Sequence, residues 1–554
     1  MKLIVVGGGA AGMSCAARAR RLDQSAEIIV LERTDHVSYA SCGLPYYVGN
    51  EITDRDALLV QTPATLRASL NLDVRTRHTV SAIEPSHQTI TVTTPEGQQT
   101  MTYDALVAAP GARPFIPPLP GFDSPRVVTL RTVPDALALK TEADTAGSAV
   151  ILGAGFIGLE AAEAFAQRGL QVDLVEMAPH ILPPLEAELA VLVTAELEQL
   201  GVRVHAGVAA TAIERGTDHD TVLLSDGRRL DAEIILAAVG VRPDTAPFCA
   251  AGLANDRGAL AVNLHGQTSD PHIWALGDAT LSRDLLGRLH PIPLAGPANR
   301  NGRLVADAIF RPSQARPIPP SLGTAILRVG QLTCALTGAN RAALAGSDYQ
   351  TLHLHPANHA SYFPGAQTLH LVIHIAGDGR LLGAQGVGGA GLDKRIDVLA
   401  SAIRAGLNVR DLIDLDLCYS PPYGSAKDPV TMVGLLGDNV LSGQLTLWQA
   451  ADVQEVLTHH LILDVRSPEE FVTGHLPGAL NIPHTQLSER LNEVAQAADG
   501  RGVRTICGVG LRSYIAHRIL ADAGFDSASL SGGMQTLRTT LAVLNRPDLL
   551  VTGD

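Results

Sequence analysis

Apolar runs and helical stretches alternate along this chain, and one arrangement of them occurs twice. LIVV (Leu3 to Val6) and AVIL (Ala149 to Leu152) are apolar runs of strand length, each closed by glycines. Each is followed by Gly-x-Gly-x-x-Gly and a stretch of helical periodicity. Each helix leads to a second apolar strand ending in an acid: IIVLE closes at Glu32 and VDLVE at Glu176. Strand, helix and strand in this order predict two Rossmann-like α/β units with parallel sheets. From about residue 323 the pattern changes. LTCALTG, TLHLHP and TLHLVIHIAG read as strands and Asp393 to Ala405 as a helix, giving an α+β domain. GLLGDNVLSGQL, residues 434–445, reads as a linker. From about Leu445 short strands (LILDV, RTIC) alternate again with helical runs, a separate α/β module of ordinary domain size.

The glycines carry the first chemistry. Gly7, Gly9 and Gly12 follow a strand and open a helix. In such a turn the first glycine permits the tight bend, the second lets backbone approach a pyrophosphate, and the third lets helix and strand pack closely. The phosphates then meet the positive end of the helix. Glu32 is placed to accept hydrogen bonds from a ribose diol. Gly153, Gly155, Gly158 and Glu176 repeat the set. Beside Glu176 a 2′-phosphate is repelled, and no arginine follows to receive one, so the second unit is expected to take NADH.

Composition narrows the field. A chain of 554 residues predicts three or four domains. Its net charge of −14 and lack of a basic tail argue against a nucleic-acid partner. The opening apolar run is too short for a signal peptide, and no later run suits a membrane span. The six cysteines form no C-x-x-C pair and no zinc-like spacing, so no metal site is expected and a reducing cytoplasm fits. Cys42 stands before Gly43-Leu44-Pro45 in a turn-to-helix pattern, and a helix start favours a reactive thiolate. Cys15, Cys249, Cys334 and Cys418 lie in apolar runs and read as core. Arg18 and Arg21 share a helix face and suit phosphate groups, although a solvated basic face including Arg20 reads equally well. His353, His355 and His359 read as surface or pocket packing, with no carboxylate near in sequence to complete a metal site.

These stretches, with LVAAPGARP around Gly111, ILAAVGVRPD around Gly240 and TSDPHIWALGD ending at Asp278, resemble the pyridine nucleotide-disulfide oxidoreductase family. The resemblance implies an FAD-binding domain in two parts, residues 1–112 and 245–322, with Asp278 on the flavin. It implies an inserted NAD-binding domain, 113–244, and a dimerisation domain, 323–440, that makes a homodimer. The single cysteine in SYASCGLPYY resembles the branch of NADH oxidases, NADH peroxidases and coenzyme A-disulfide reductases. Oxygen- and peroxide-using members carry a histidine where this chain has Ala10 and Ala11, which points towards disulfide or persulfide reduction. The resemblance further implies Arg18, Arg21, Ser38, Asn299 and Arg300 as contacts for coenzyme A, and Tyr362 and Tyr419 as tyrosines lent by the partner subunit.

LILDVRSPEEFVTGHLPGALNIP and the loop CGVGLRS, with LSGGMQTLR after them, resemble a rhodanese domain over 445–554. Cys507 then lies in a loop of inward-pointing N–H groups at a helix start, which stabilises a thiolate and then a persulfide. Arg512 adds positive charge, and Arg466 ties the first strand to the site. The spacing C-x4-R departs from the C-x5-R of thiosulfate-using enzymes. Together the resemblances imply a flavoprotein that uses NADH to reduce a small-molecule disulfide or persulfide, namely coenzyme A disulfide, coenzyme A persulfide or polysulfide, through Cys42. Sulfane sulfur is then handled at Cys507. An NADH oxidase and a non-enzymatic sulfur carrier or redox sensor are the alternatives.

Overall fold

The computed structural model describes residues 1–553 and divides into two units. The first comprises Met1–Pro179 and Leu200–Gly323. Its first sheet has five parallel strands in the order Ile273–Ala275, Ala105–Ala108, Lys2–Val6, Glu27–Leu31 and Asp73–Arg75. Successive residues of the central strand point into two different cores. Leu3 and Val5 pack with Cys15, Ile28 and Val30. Ile4 and Val6 pack with Ile29, Leu31 and Leu106. A sheet buried on both faces explains why these strands are unbroken apolar runs without polar alternation.

The second sheet repeats the design with Val202–Ala206, Gln171–Glu176, Ser148–Leu152, Ile234–Ala237 and Val127–Val128, again all parallel. The repeat extends further than the glycines. Each half also carries a three-stranded antiparallel meander, Thr79–Thr102 in one and Ala210–Ala232 in the other. LVAAPGARP and ILAAVGVRPD meet as a short antiparallel pair, Ala112–Pro114 with Val241–Pro243, in which Arg113 faces Arg242.

The second unit comprises His180–Gln199 and the chain from Thr324 onward. Its helix Ala187–Gln199 lies within the span expected for the NAD-binding domain, yet it packs on the strands Ala325–Val329, Leu332–Gly338 and Leu381–Gly388. Those strands belong to a five-stranded antiparallel sheet completed by Leu369–Ala376 and Tyr349–Leu354. A parallel sheet follows, ordered Leu447–Trp448, Ser527–Leu530, Val503–Ile506, Leu461–Asp464 and Leu480–Asn481. Among the described residues no helix is long and apolar enough to cross a membrane.

The expected linker at 434–445 is mostly helix. Pro429–Leu441 forms thirteen residues of α-helix, capped by the Asp428 side chain. Its glycines are there for close packing. A Cβ on Gly437 would sit 2.5 Å from Val409, and one on Gly434 would sit 2.9 Å from the backbone nitrogen of Ile413. We expect Gly437→Leu to lower stability by about 1–3 kcal/mol, the usual cost of overpacking. Urea unfolding checks this, and an unchanged midpoint would show the contact to be loose.

Candidate active site

Both glycine fingerprints close on themselves in the same way. Gly7 has φ +108°, and a Cβ on it would lie 2.1 Å from the Ala109 carbonyl oxygen. A Cβ on Gly12 would lie 2.1 Å from the oxygen of Gly7. In the second copy Gly153 has φ +97°, and a Cβ on Gly158 would lie 1.9 Å from its oxygen. The middle glycines differ. Gly9 and Gly155 have ordinary φ values of −81° and −79°. A Cβ on either meets no protein atom within 4 Å. Neither backbone strain nor protein packing therefore requires glycine there. The open space beside each suits a pyrophosphate set against the helix start.

The two acids are held alike. Glu32 accepts the N–H of Gly8 at 2.9 Å and of Thr34 at 2.8 Å. Glu176 accepts the N–H of Ala154 and of Ala178, both at 2.8 Å. Each carboxylate is thus fixed at the end of its strand, beside the glycine turn.

Beside the first fingerprint opens a cavity of about 1060 Å³, lined in part by Gly7, Gly9, Ala10, Ala11, Glu32, Gly111 and Asp278. Asp278 sits in a short turn, Gly277–Ala279, at the end of the strand Ile273–Ala275. Burial pushes its carboxyl above the usual carboxylate range, opposed by the Arg131 guanidinium. Cys42 opens into the same cavity and is exposed. The helix behind it is weaker than its sequence suggests. Ser41–Gly43 is a single 3-10 turn, and Leu44–Val48 has only five residues. Accessibility, more than a helix dipole, marks out this thiol.

Of the expected coenzyme A contacts, Arg18, Arg21, Ser38 and Asn299 line the cavity. Ser38 is held at φ +48° while its N–H donates to the Gly8 oxygen. Arg18 is paired with Asp307 at 2.7 Å. Arg300 is not among the lining residues; Arg303 is. On the helix Ala295–Phe310, position 303 follows Asn299 by one turn and shares its face, whereas position 300 points away. That spacing was the available signal for Arg303. Arg20 is no part of a solvated basic face. It is 4% exposed and donates to four backbone carbonyls, those of Leu70, Asn71, Asp23 and Gln24.

Cys15 and Cys334 are buried, and burial pushes both thiols to about 12. Cys249 is half-buried near Thr245. Cys418 departs from the expected core position. It is exposed, in an irregular stretch after the turn Val409–Ile413 where no strand or helix buries it. Tyr362 and Tyr419 are exposed with their hydroxyls 3.4 Å apart, and that hydrogen bond holds the Tyr362 phenol above its ordinary range.

In the parallel-sheet domain Cys507 is buried at the start of a loop. Its Sγ accepts the N–H of Gly510 at 3.1 Å and lies 3.3 Å from Ser513 Oγ. Gly510, at φ +110°, caps the helix Leu511–Asp522. Arg512 interacts with a carboxylate and with the sulfur, and both hold its guanidinium charged. It grips Glu470 with two bonds of 2.6 and 2.7 Å and holds that carboxyl down at about 2. Arg466 binds Asp464 at 2.6 Å and the carbonyls of Glu470 and Gly474. It thereby ties the first strand to the segment carrying Glu470.

The histidines of TLHLHPANH are packed inside, with polar partners from distant parts of the chain. His353 meets Glu188 and Ser531, and His355 meets His370 and Thr536. His359 is buried against Phe363. A carboxylate does reach the cluster, from a segment more than 150 residues earlier. Among the described residues no group of three His, Cys, Asp or Glu is placed to hold a metal ion.

Residues 1–303 match the model of the pyridine nucleotide-disulphide oxidoreductase family, and the chain belongs to that family; it is an oxidoreductase. Residues 446–539 match the rhodanese-like domain. The coenzyme A disulfide reductase of Staphylococcus haemolyticus is 33% identical over 440 residues, 78% of this chain and 98% of that protein. Among solved structures, the reduced CoADR-RHD of Bacillus anthracis is 38% identical with a TM-score of 0.95, covering 99% of both chains. A NAD-dependent persulfide reductase from A. fulgidus is 35% identical with a TM-score of 0.89, covering 97% of this chain and all of that one. Both likenesses span reductase and rhodanese parts together.

Gly9→Ala and Gly155→Ala should leave the unfolding of the ligand-free protein unchanged to within about 0.5 kcal/mol. Each should weaken dinucleotide binding by at least about ten-fold, because the added methyl enters only the space for phosphate. Loss of stability without loss of binding would place the constraint in the protein instead.

Burial and the neighbouring His370 hold His355 down at about 3, against 6.5 unfolded. The unfolded chain then binds more protons between those values, so the stability from this site is whole above pH 6.5 and lost as pH falls below it. His355→Gln should reduce the pH slope of the unfolding free energy in this window by about one proton. Urea titrations at pH 7.5 and 5 measure it, and equal slopes would show that His355 stays solvated.

Proposed function

We propose that this protein uses NADH to reduce coenzyme A disulfide or coenzyme A persulfide through Cys42, with Cys507 handling sulfane sulfur. One observation carries the reading: Cys42 is exposed into the cavity that also presents the glycine turn, Glu32 and Asp278. A dinucleotide held by the turn and a substrate facing the thiol then share one space. We assign FAD to this cavity, with Glu32 on the ribose and Asp278 on the flavin side, and NADH to the turn at Gly153, Gly155 and Gly158 with Glu176. The corresponding domains are 1–112 with 245–322, and 113–244. Residues 323–440 are assigned to dimerisation and 445–554 to the rhodanese domain.

FAD, when bound, relays the two electrons of the nicotinamide hydride to sulfur. The chain's part is to attack, hold and release. The Cys42 thiolate attacks one sulfur of the substrate, so a Cys42–S–S–R bond forms and one thiolate leaves. Two electrons then break that bond, returning the Cys42 thiolate and releasing the second thiol. The balance is NADH, one proton and RSSR giving NAD⁺ and two RSH; a persulfide gives RSH and hydrogen sulfide. Arg21 and Arg303 are the lining cations we assign to coenzyme A phosphates, since Arg18 is already paired with Asp307. Tyr362, kept protonated by its bond to Tyr419, is suited to protonate the leaving thiolate, and we place this pair in the partner subunit's cavity in a cytoplasmic homodimer. Ala10 and Ala11 offer only methyl groups to the cavity, which favours sulfur over oxygen as acceptor.

Anaerobic NADH oxidation tests the reading, with coenzyme A disulfide and coenzyme A persulfide as substrates. Cys42→Ser should lower turnover with either by at least about a thousand-fold, the scale of losing a covalent nucleophile. Full turnover without Cys42, or no anaerobic turnover with either substrate by a protein that oxidises NADH in air, would overturn it.

A further inference from the structure

A polar contact behind the Cys507 loop has no part in the chemistry above. The strand Ser527–Leu530 ends in Ser531-Gly532-Gly533, and these residues face two ways. Towards the cysteine, the Met534 N–H donates to the Cys507 oxygen at 2.8 Å, and a Cβ on Gly533 would lie 2.4 Å from that oxygen. Towards the antiparallel sheet, a Cβ on Gly532 would lie 2.7 Å from His353 Cβ and 2.9 Å from His355 Nε2. Both glycines adopt left-handed backbone, at φ +70° and +64°. The pair is a shim, thin on both sides, between the histidines and the cysteine loop.

Ser531 fixes the shim. Its Oγ accepts the backbone N–H of His353 at 3.1 Å, which leaves the serine proton for His353 Nδ1 at 2.8 Å. The imidazole proton then resides on Nε2 and is donated to Glu188 Oε1 at 3.0 Å. Arg341 clamps the same carboxylate with bonds of 2.8 and 2.5 Å. His353, Ser531 and Glu188 are all buried, and burial holds the imidazole below its ordinary range and neutral. Arg341 and His353 thus both donate to Glu188, and Ser531 joins His353 to the backbone under Cys507 through Gly532 and Gly533.

We propose that His353 is a positioning residue for Cys507. Through Ser531 it fixes the glycine shim against which the cysteine loop rests, and so aligns Sγ with an incoming sulfane sulfur. The inference rests on the reading of Cys507 given above. In the step it serves, the thiolate attacks the outer sulfur of a persulfide RSSH. An Sγ–S bond forms, the S–S bond of the persulfide breaks, and RS⁻ leaves as RSH with the proton of the transferred sulfur. No electrons are gained or lost overall. Cyanide then removes that sulfur as thiocyanate and restores the thiolate.

Full-length Ser531→Ala, His353→Gln, their double variant and His353→Asn test this with glutathione persulfide as donor and cyanide as acceptor. NADH oxidation with coenzyme A disulfide is followed in parallel. Ser531→Ala and His353→Gln should each lower thiocyanate formation on the order of ten-fold, the usual scale for a misplaced reacting group. The double variant should be no worse than either single one, because both break the same link. His353→Asn keeps an acceptor where Nδ1 stands and should recover most of the activity. Disulfide turnover should stay unchanged throughout. Unaffected sulfur transfer, multiplying losses, or parallel loss of both activities would overturn the proposal. Absence of thiocyanate from the wild type would instead reject the reading of Cys507. Positioning is then judged by the rate of iodoacetamide alkylation at the Cys507 peptide, where the same ranking of variants supports it and equal rates overturn it.

Discussion

The structure depends on how closely a helix can start against the strand that feeds it. At Gly12 and Gly158 there is no room for a single carbon between helix and turn. This closeness brings the first helix down over the sheet and leaves its N-terminal N–H groups facing outward at the strand ends. The acids that close the second strands then reach back to hydrogen-bond the turn, Glu32 to Gly8 and Glu176 to Ala154. The same strand ends present Asp278, and the segment after Glu32 presents Cys42, so one steric constraint arranges the glycine turn, the acids and the thiol around one cavity.

The second unit depends on buried charge. Glu186 and Glu188 share Arg341, Arg395 holds Asp428, and Arg466 holds Asp464. Desolvation makes such pairs costly to bury, so their net worth to stability is small when complete, while the loss of one partner leaves an uncompensated charge. Here they fix position: Asp428 starts a helix, and Arg466 fastens the segment that carries Glu470.

What was legible in the sequence follows from the range of each signal. Strand–glycine–helix–acid is local, and so both dinucleotide units and the rhodanese-like loop were readable, as was the mixed α/β fold. The helix Pro429–Leu441 was misread because its glycines resemble a flexible stretch; they serve the close approach of Val409 and Ile413, which lie more than twenty residues away. The histidine cluster was read as packing, but its depth and its partners Glu188, Ser531 and Thr536 were not readable, because those partners are remote in sequence. Arg303 was missed although helical spacing from Asn299 indicates it. Arg512 faces Cys507 as its positive charge suggests, but its pairing with Glu470, a partner 42 residues away, was not readable.

The short antiparallel pair of Ala112–Pro114 with Val241–Pro243 has a wider consequence. The chain leaves the first sheet and returns to it along adjacent strands, so everything between enters and exits at one seam. An insertion anchored in this way takes two neighbouring ends from its host, and here it also lends the helix Ala187–Gln199 to the antiparallel sheet. A module exchanged between related chains at this seam must therefore bring a helix that keeps the Glu188–Arg341 pair, so the inserted segment and the antiparallel sheet are constrained to change together.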